Sequence, residues 1–109
     1  QIGMPCDMDA VMAVARAHGL RVIEDAACAL GSEMQFGGAW RRVGDPAGDV
    51  ACFSLHPRKV ITVGDGGMLT TRDAALDARF RLLRQHGMTV SDAVRHGSSQ
   101  VIFESYEAE

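Results

Sequence analysis

The chain predicts an α/β fold, and three observations carry that prediction. A capped amphipathic helix runs from Asp7 to His18, a short β-branched strand follows its glycine stop directly, and strand-like runs recur at 49–55 and 66–71. Asp7 is a good N-cap because a short carboxylate can accept the orphan N–H groups of a first turn. Met8, Val11, Met12 and Ala15 then repeat at helical spacing, and His18 and Gly19 end the helix after about three turns. The next run, LRVIED (20–25), reads as a short buried strand, with β-branched Val22 and Ile23 inside and charges at its ends. Helix, glycine turn and strand make half of a βαβ unit.

Between Ala26 and Gly48 the residues Gly31, Gly37, Gly38, Gly44 and Pro46 interrupt any long periodicity, so this stretch reads as a functional loop or one whose partner elements lie elsewhere. DVACFSL (49–55) reads as a second buried strand and GGMLTT (66–71) as a third. The connection HPRKVITVGD is too short for a helical crossover, so these two strands are expected to pair as a local hairpin. Asp73 is placed to cap a second helix with Leu76, Phe80 and Leu83 as its apolar stripe, Arg79, Arg81 and Arg84 outward, and Gly87 as its stop. Beyond Met88 the pattern fades into a polar tail whose apolar cluster is Val101, Ile102 and Phe103. Three short strands do not cover a parallel-type sheet on both faces, and neither end carries a closing element. The expectation is therefore that residues 1–109 are the central segment of a larger domain, cut at both ends.

Composition narrows the function classes. The 109 residues are 47% hydrophobic and 23% charged, ordinary for a globular protein. A formal charge of -3 without a Lys/Arg cluster provides no footprint for nucleic acid or an anionic membrane surface. No apolar run approaches the roughly 20 residues of a membrane span and no signal-peptide pattern opens the chain, so it reads as cytoplasmic. Cys6, Cys28 and Cys52 are widely spaced and read as reduced thiols. His18, His56, His86 and His96 lack ligand spacing, so no metal site is expected.

The chemistry-bearing residues gather around CFSLHPRKVITVGDGGM (52–68). Lys59 lies five residues after Ser54 and just before the glycine turn at Gly64, Gly66 and Gly67. In open α/β sheets ligands sit beyond the carboxyl ends of strands, where Asp25 and Ser54 are both expected. An amine attacks a carbonyl only when unprotonated, a state favoured by desolvation and by nearby cations; Val60 and Ile61 offer the first and Arg58 the second. A carboxylate such as Asp25 can keep a pyridinium nitrogen protonated, and a hydroxyl such as Ser54, with neighbouring N–H groups, suits a phosphate.

The blocks PCDMD, HGLRVIEDAACALGS, GDVACFSLHPRK, ITVGDGGMLTTRD and LRQHG, in this order over residues 3–88, resemble the DegT/DnrJ/EryC1/StrS family of pyridoxal-phosphate-dependent sugar aminotransferases. The resemblance implies part of the large domain of a fold-type-I transferase, a three-layer α/β/α sandwich with a mostly parallel sheet. It implies pyridoxal 5'-phosphate as cofactor, homodimers, and transfer of an amino group from an amino acid, typically glutamate, to a keto-sugar nucleotide in nucleotide-sugar biosynthesis. Lys59 matches the lysine that forms the internal aldimine, Asp25 the acid at the pyridine nitrogen, and Ser54 a phosphate contact. Cys28 stands where the family commonly has Gln or His facing the phenolic oxygen, and a thiol is a weaker hydrogen-bond partner there. Asp65 replaces a frequent Glu. The family also contains dehydratases with histidine in place of the lysine, a branch that Lys59 argues against. The resemblance further implies that residues 1–109 lack upstream phosphate-binding elements, and the expectation is that they bind the cofactor weakly and do not turn over alone. Two other readings stand beside it: a non-catalytic relative that senses the cofactor or a sugar, and a receiver-like signalling module with Asp25 as phosphoacceptor.

Overall fold

The computed structural model describes residues 2–99 and divides into two units, residues 1–73 and 74–109. In the first, α1 (Met8–His18) is followed by β1 (Ile23–Asp25), β2 (Glu33–Phe36), β3 (Ala39–Arg42), β4 (Val50–Ser54) and β5 (Gly67–Thr70). The second contains α2 (Ala74–Leu83) and α3 (Asp92–Gly97). The apolar cluster Val101–Phe103 lies outside the described residues.

α1 forms as its sequence predicts. The Asp7 carboxylate accepts the Ala10 N–H at 3.0 Å, and Gly19 adopts the left-handed conformation (φ 63°) that lets Leu20 N–H close back on the Ala15 carbonyl at 2.9 Å. Met8, Met12 and Ala15 are buried, whereas Val11, expected in the same stripe, is 39% exposed. The helix lies against β2, and Met8 and Met12 pack on Met34 with Val22, Phe36 and Ala47 around them.

The stretch 26–48, expected as a loop, contains the antiparallel β2–β3 hairpin, in which Phe36 pairs with Ala39. Gly37 and Gly38 (φ 61° and 77°) make its two-residue turn, because both central positions need the positive φ that suits the strand twist. The Asp9 carboxylate accepts the Gly37 N–H at 3.1 Å and ties α1 to this turn.

β1 pairs in parallel with β4, Asp25 opposite Cys52, and β4 pairs antiparallel with β5, Ser54 opposite Gly67. The expected hairpin between the second and third strand runs is therefore present, and the three-stranded sheet is mixed, in the order β1-β4-β5. β4 is its buried centre: Ala51 is fully buried and Phe53 packs with Ala26 and Ala29. β1, expected to be buried, is not, since Ile23 is 70% exposed. Its β-branched residues encode strand backbone, but burial needs neighbours that the described residues do not supply at that edge.

Asp49 anchors the other end of this pairing. Its carboxylate accepts the Val22 N–H at 2.7 Å and Arg21 at 2.5 Å, and these two bonds, the backbone one first, hold it below the usual carboxylate range. Gly48 next to it leaves no room for a side chain: a Cβ there would stand 2.8 Å from the Val22 carbonyl oxygen and 2.9 Å from Val22 Cβ. Gly48→Ala is therefore expected to lower stability by about 1–3 kcal/mol, the usual cost of overpacking. The midpoint of urea unfolding checks this, and an unchanged midpoint would show that β1 can give way without cost.

In the second unit α2 starts one residue after Asp73, and Gly87 N–H returns to the Leu82 carbonyl at 3.1 Å, so the glycine closes the helix as predicted. Leu76 and Phe80 are half-buried and Leu83 is 45% exposed, while Arg79, expected outward, is also half-buried. α3 occupies part of the stretch read as a polar tail; the Ser91 hydroxyl accepts the Val94 N–H and caps it.

Candidate active site

Parallel pairing of β1 with β4 sets the carboxyl ends of both strands at one edge of the sheet, and all four residues singled out above gather there or on the loops that leave it. Asp25 is the last residue of β1. Its Oδ1 accepts the Ala27 N–H at 3.1 Å, which turns the chain sharply, and a further turn from Ala29 N–H to the Ala26 carbonyl presents Cys28. The other carboxylate oxygen of Asp25 has no partner among the described residues.

Ser54 ends β4, and its hydroxyl accepts the His56 N–H at 3.3 Å, leaving its own proton to donate. The loop from 55 to 66 then folds back on itself. Leu55 N–H bonds the Gly66 carbonyl, Val63 N–H bonds the Leu55 carbonyl, and Lys59 N–H bonds the His56 carbonyl at 2.9 Å. Thr62, which sequence reasoning passed over, pins this loop: its hydroxyl donates to the Leu55 carbonyl and accepts the Gly64 N–H, both at 2.9 Å. The signal was a threonine two residues before a glycine with φ 87°, the pattern of a side-chain-closed turn.

The folded loop brings the Lys59 amine to Cys28, Nζ to Sγ 2.9 Å, across 31 positions of sequence. Cys28, Ser54, Arg58 and Lys59 line a cavity of about 100 Å³. Asp25 lines a larger neighbouring cavity of about 570 Å³, and Ala27 and Cys28 form a shared wall between the two. Val60 and Ile61, expected to desolvate the amine, are 87% and 56% exposed, so they give it little cover here. Cys52, opposite Asp25, is half-buried; burial first and the Asp25 charge second push its thiol up, as suits a packing residue.

A carboxylate with a free oxygen, a hydroxyl with a free proton and a primary amine on adjacent walls are the donor set that a phosphorylated pyridine aldehyde requires, and the residues present fit that group. Among the described residues no cluster of three His, Cys, Asp or Glu side chains could hold a metal ion, and no helix is long and apolar enough to cross a membrane.

An α/β sheet with these groups at its strand ends defines a segment of a fold-type-I transferase large domain. Residues 1–103 match the DegT/DnrJ/EryC1/StrS aminotransferase family, and the chain belongs to that family. It is 49% identical over 86 residues to a UDP-N-acetyl-3-dehydro-alpha-D-glucosamine 3-aminotransferase of Acidithiobacillus ferrooxidans, covering 78% of this chain and 22% of that protein. It is 48% identical over 86 residues to the GDP-perosamine synthase of Caulobacter vibrioides, covering 79% of this chain and 22% of that protein. Among solved structures, DesV of S. venezuelae in complex with a ketimine intermediate superimposes with a TM-score of 0.72 at 39% identity, covering 92% of this chain and 25% of that one. The chain thus spans about a quarter or less of each of these three proteins.

Proposed function

We propose that residues 1–109 are the central part of the large domain of a homodimeric, cytoplasmic aminotransferase that moves an amino group from an amino acid, glutamate by family habit, to a keto-sugar nucleotide with pyridoxal 5'-phosphate. The reading is carried by one observation: Asp25 ends β1, Lys59 lies on the loop that leaves its parallel partner β4, and the cavities the two residues line share the wall formed by Ala27 and Cys28. The family's aminotransferases and the sugar-nucleotide enzymes among its relatives support it, and they leave little room for the receiver-like reading.

Pyridoxal phosphate, when bound, supplies an aldehyde carbon that exchanges amino groups and a ring that withdraws electrons from it. The free oxygen of Asp25 would hold the ring nitrogen and keep its proton in place. The Ser54 hydroxyl would donate to the phosphate, to which its direction is suited because its acceptor side is already engaged by His56 N–H. Lys59 would hold the aldehyde carbon at Nζ, and the same nitrogen would take and return protons. Cys28 would stand beside the phenolic oxygen as a weak partner, one thiol away from the amine.

The test is direct. Sodium borohydride is added to the family-length protein loaded with pyridoxal phosphate, and the digested peptides are weighed. The cofactor mass is expected on the peptide containing Lys59. Its appearance on another lysine, or nowhere, would refute the assignment. Amino-group release from glutamate in a half-reaction then separates an enzyme from a non-catalytic sensor, which would take the label without converting the donor.

A further inference from the structure

Cys28 has no packing role that explains it. Its side chain is exposed, and among the described residues its thiol bonds the Lys59 amine at 2.9 Å. At 2.9 Å the two atoms are as close as the roughly 3–3.5 Å of reacting atoms poised for attack requires. The contact is built by tertiary structure at both ends: the Asp25–Ala27 turn presents the thiol, and the Thr62-pinned loop presents the amine. A cysteine beside a primary amine has a fate that a buried cysteine lacks, because its sulfenic acid can condense with nitrogen.

We propose that Cys28 and Lys59 form an oxidant-closed crosslink, a sulfenamide between Sγ and Nζ, whenever the site holds no cofactor. The oxidant is a peroxide. Cys28 sulfur attacks one peroxide oxygen, the O–O bond breaks, sulfur loses two electrons to the peroxide, and a sulfenic acid and one water result. The neutral Lys59 nitrogen then attacks that sulfur, the S–O bond breaks, and the departing hydroxide leaves with the amine proton as a second water. The net change is thiol, amine and one peroxide to one S–N bond and two waters. Two equivalents of an added thiol reverse it, restoring thiol and amine and leaving a disulfide of the added thiol. The crosslink occupies the nitrogen that the proposed function assigns to the cofactor aldehyde, so closure and cofactor attachment exclude each other. The exposed position of Cys28 lets peroxide reach it, and an aliphatic residue or glutamine at position 28 would have no such chemistry.

Hydrogen peroxide is added to the cofactor-free, family-length protein, remaining thiols are alkylated in acid, and the digest is weighed. The expected product joins the Cys28 and Lys59 peptides at a mass two hydrogens below their sum, and dithiothreitol abolishes it. Borohydride labelling of Lys59 by pyridoxal phosphate should be lost after peroxide and return after dithiothreitol. Cys28→Ser should keep its labelling through peroxide, and Lys59→Arg should send Cys28 on to the acid carrying two added oxygens. Cys28 found with two added oxygens beside a free Lys59 in the unsubstituted protein, or paired with Cys6 or Cys52 as a disulfide, would overturn the proposal. Cofactor loading before peroxide should prevent the crosslink. A crosslink that forms equally in the loaded protein upholds the pair and counts against Lys59 as the site of cofactor attachment, so the two readings fail separately.

Discussion

Lys59→Ala is expected to lower kcat by at least roughly 10²–10⁴-fold, the contribution of a positioned proton-transfer group, and to abolish borohydride labelling altogether. The size follows from two tasks that the proposed function rests on one nitrogen, since the same Nζ would bind the aldehyde carbon and carry the protons. Neither task has a second candidate among the residues lining the cavity, where the other basic side chain is the guanidinium of Arg58, which has no primary amine. The substitution should leave the fold alone. Lys59 holds its loop through its backbone N–H on the His56 carbonyl, which alanine keeps, and its side-chain amine bonds the exposed Cys28. A steady-state assay with a keto-sugar nucleotide and an amino donor, run beside a thermal melt, reads both. Unimpaired turnover in a folded Lys59→Ala protein would dispose of the reading.

Asp25→Asn should cost about as much, for a different reason. Asp25 is exposed in the structure, but a bound cofactor would cover it and pair it with the ring nitrogen, and removing one partner of such a desolvated pair costs about 3–5 kcal/mol, or roughly 10²–10⁴-fold in rate if the loss falls on the transition state. Asparagine keeps an oxygen for the Ala27 N–H, so the turn that presents Cys28 survives and the loss is confined to the charge facing the ring nitrogen. The prediction is a large fall in kcat with Lys59 still labelled, together with a pH-dependent cofactor spectrum, because the ring nitrogen no longer keeps its proton across neutral pH. Equal kcat for the two proteins would show that Asp25 serves the turn alone.

Much of the scaffold was legible because its signals are local. Asp7 caps α1 and Gly19 stops it through bonds spanning three to five residues, and a connection of twelve residues (55–66) left β4 and β5 little choice but to pair antiparallel. The β2–β3 hairpin was readable in principle from Gly37-Gly38, yet the surrounding glycines masked it: the same residue type that makes a hairpin turn also marks an irregular loop. Burial was read less well. Ile23 and Val11 have the right side chains for a core, but whether a face is covered depends on what packs there.

The site divides along the same line. Residue type and order alone pointed to Lys59, Asp25, Ser54 and Cys28, because an amine, a carboxylate, a hydroxyl and the spacing between their blocks are written in one dimension. Only the tertiary structure decided their company. The parallel register of β1 and β4 puts Asp25 and Ser54 at one edge, and Thr62 folds the loop that carries Lys59 back across 31 residues onto Cys28. A contact of 2.9 Å between groups so far apart in sequence is a property of strand pairing and loop closure, which no local pattern encodes.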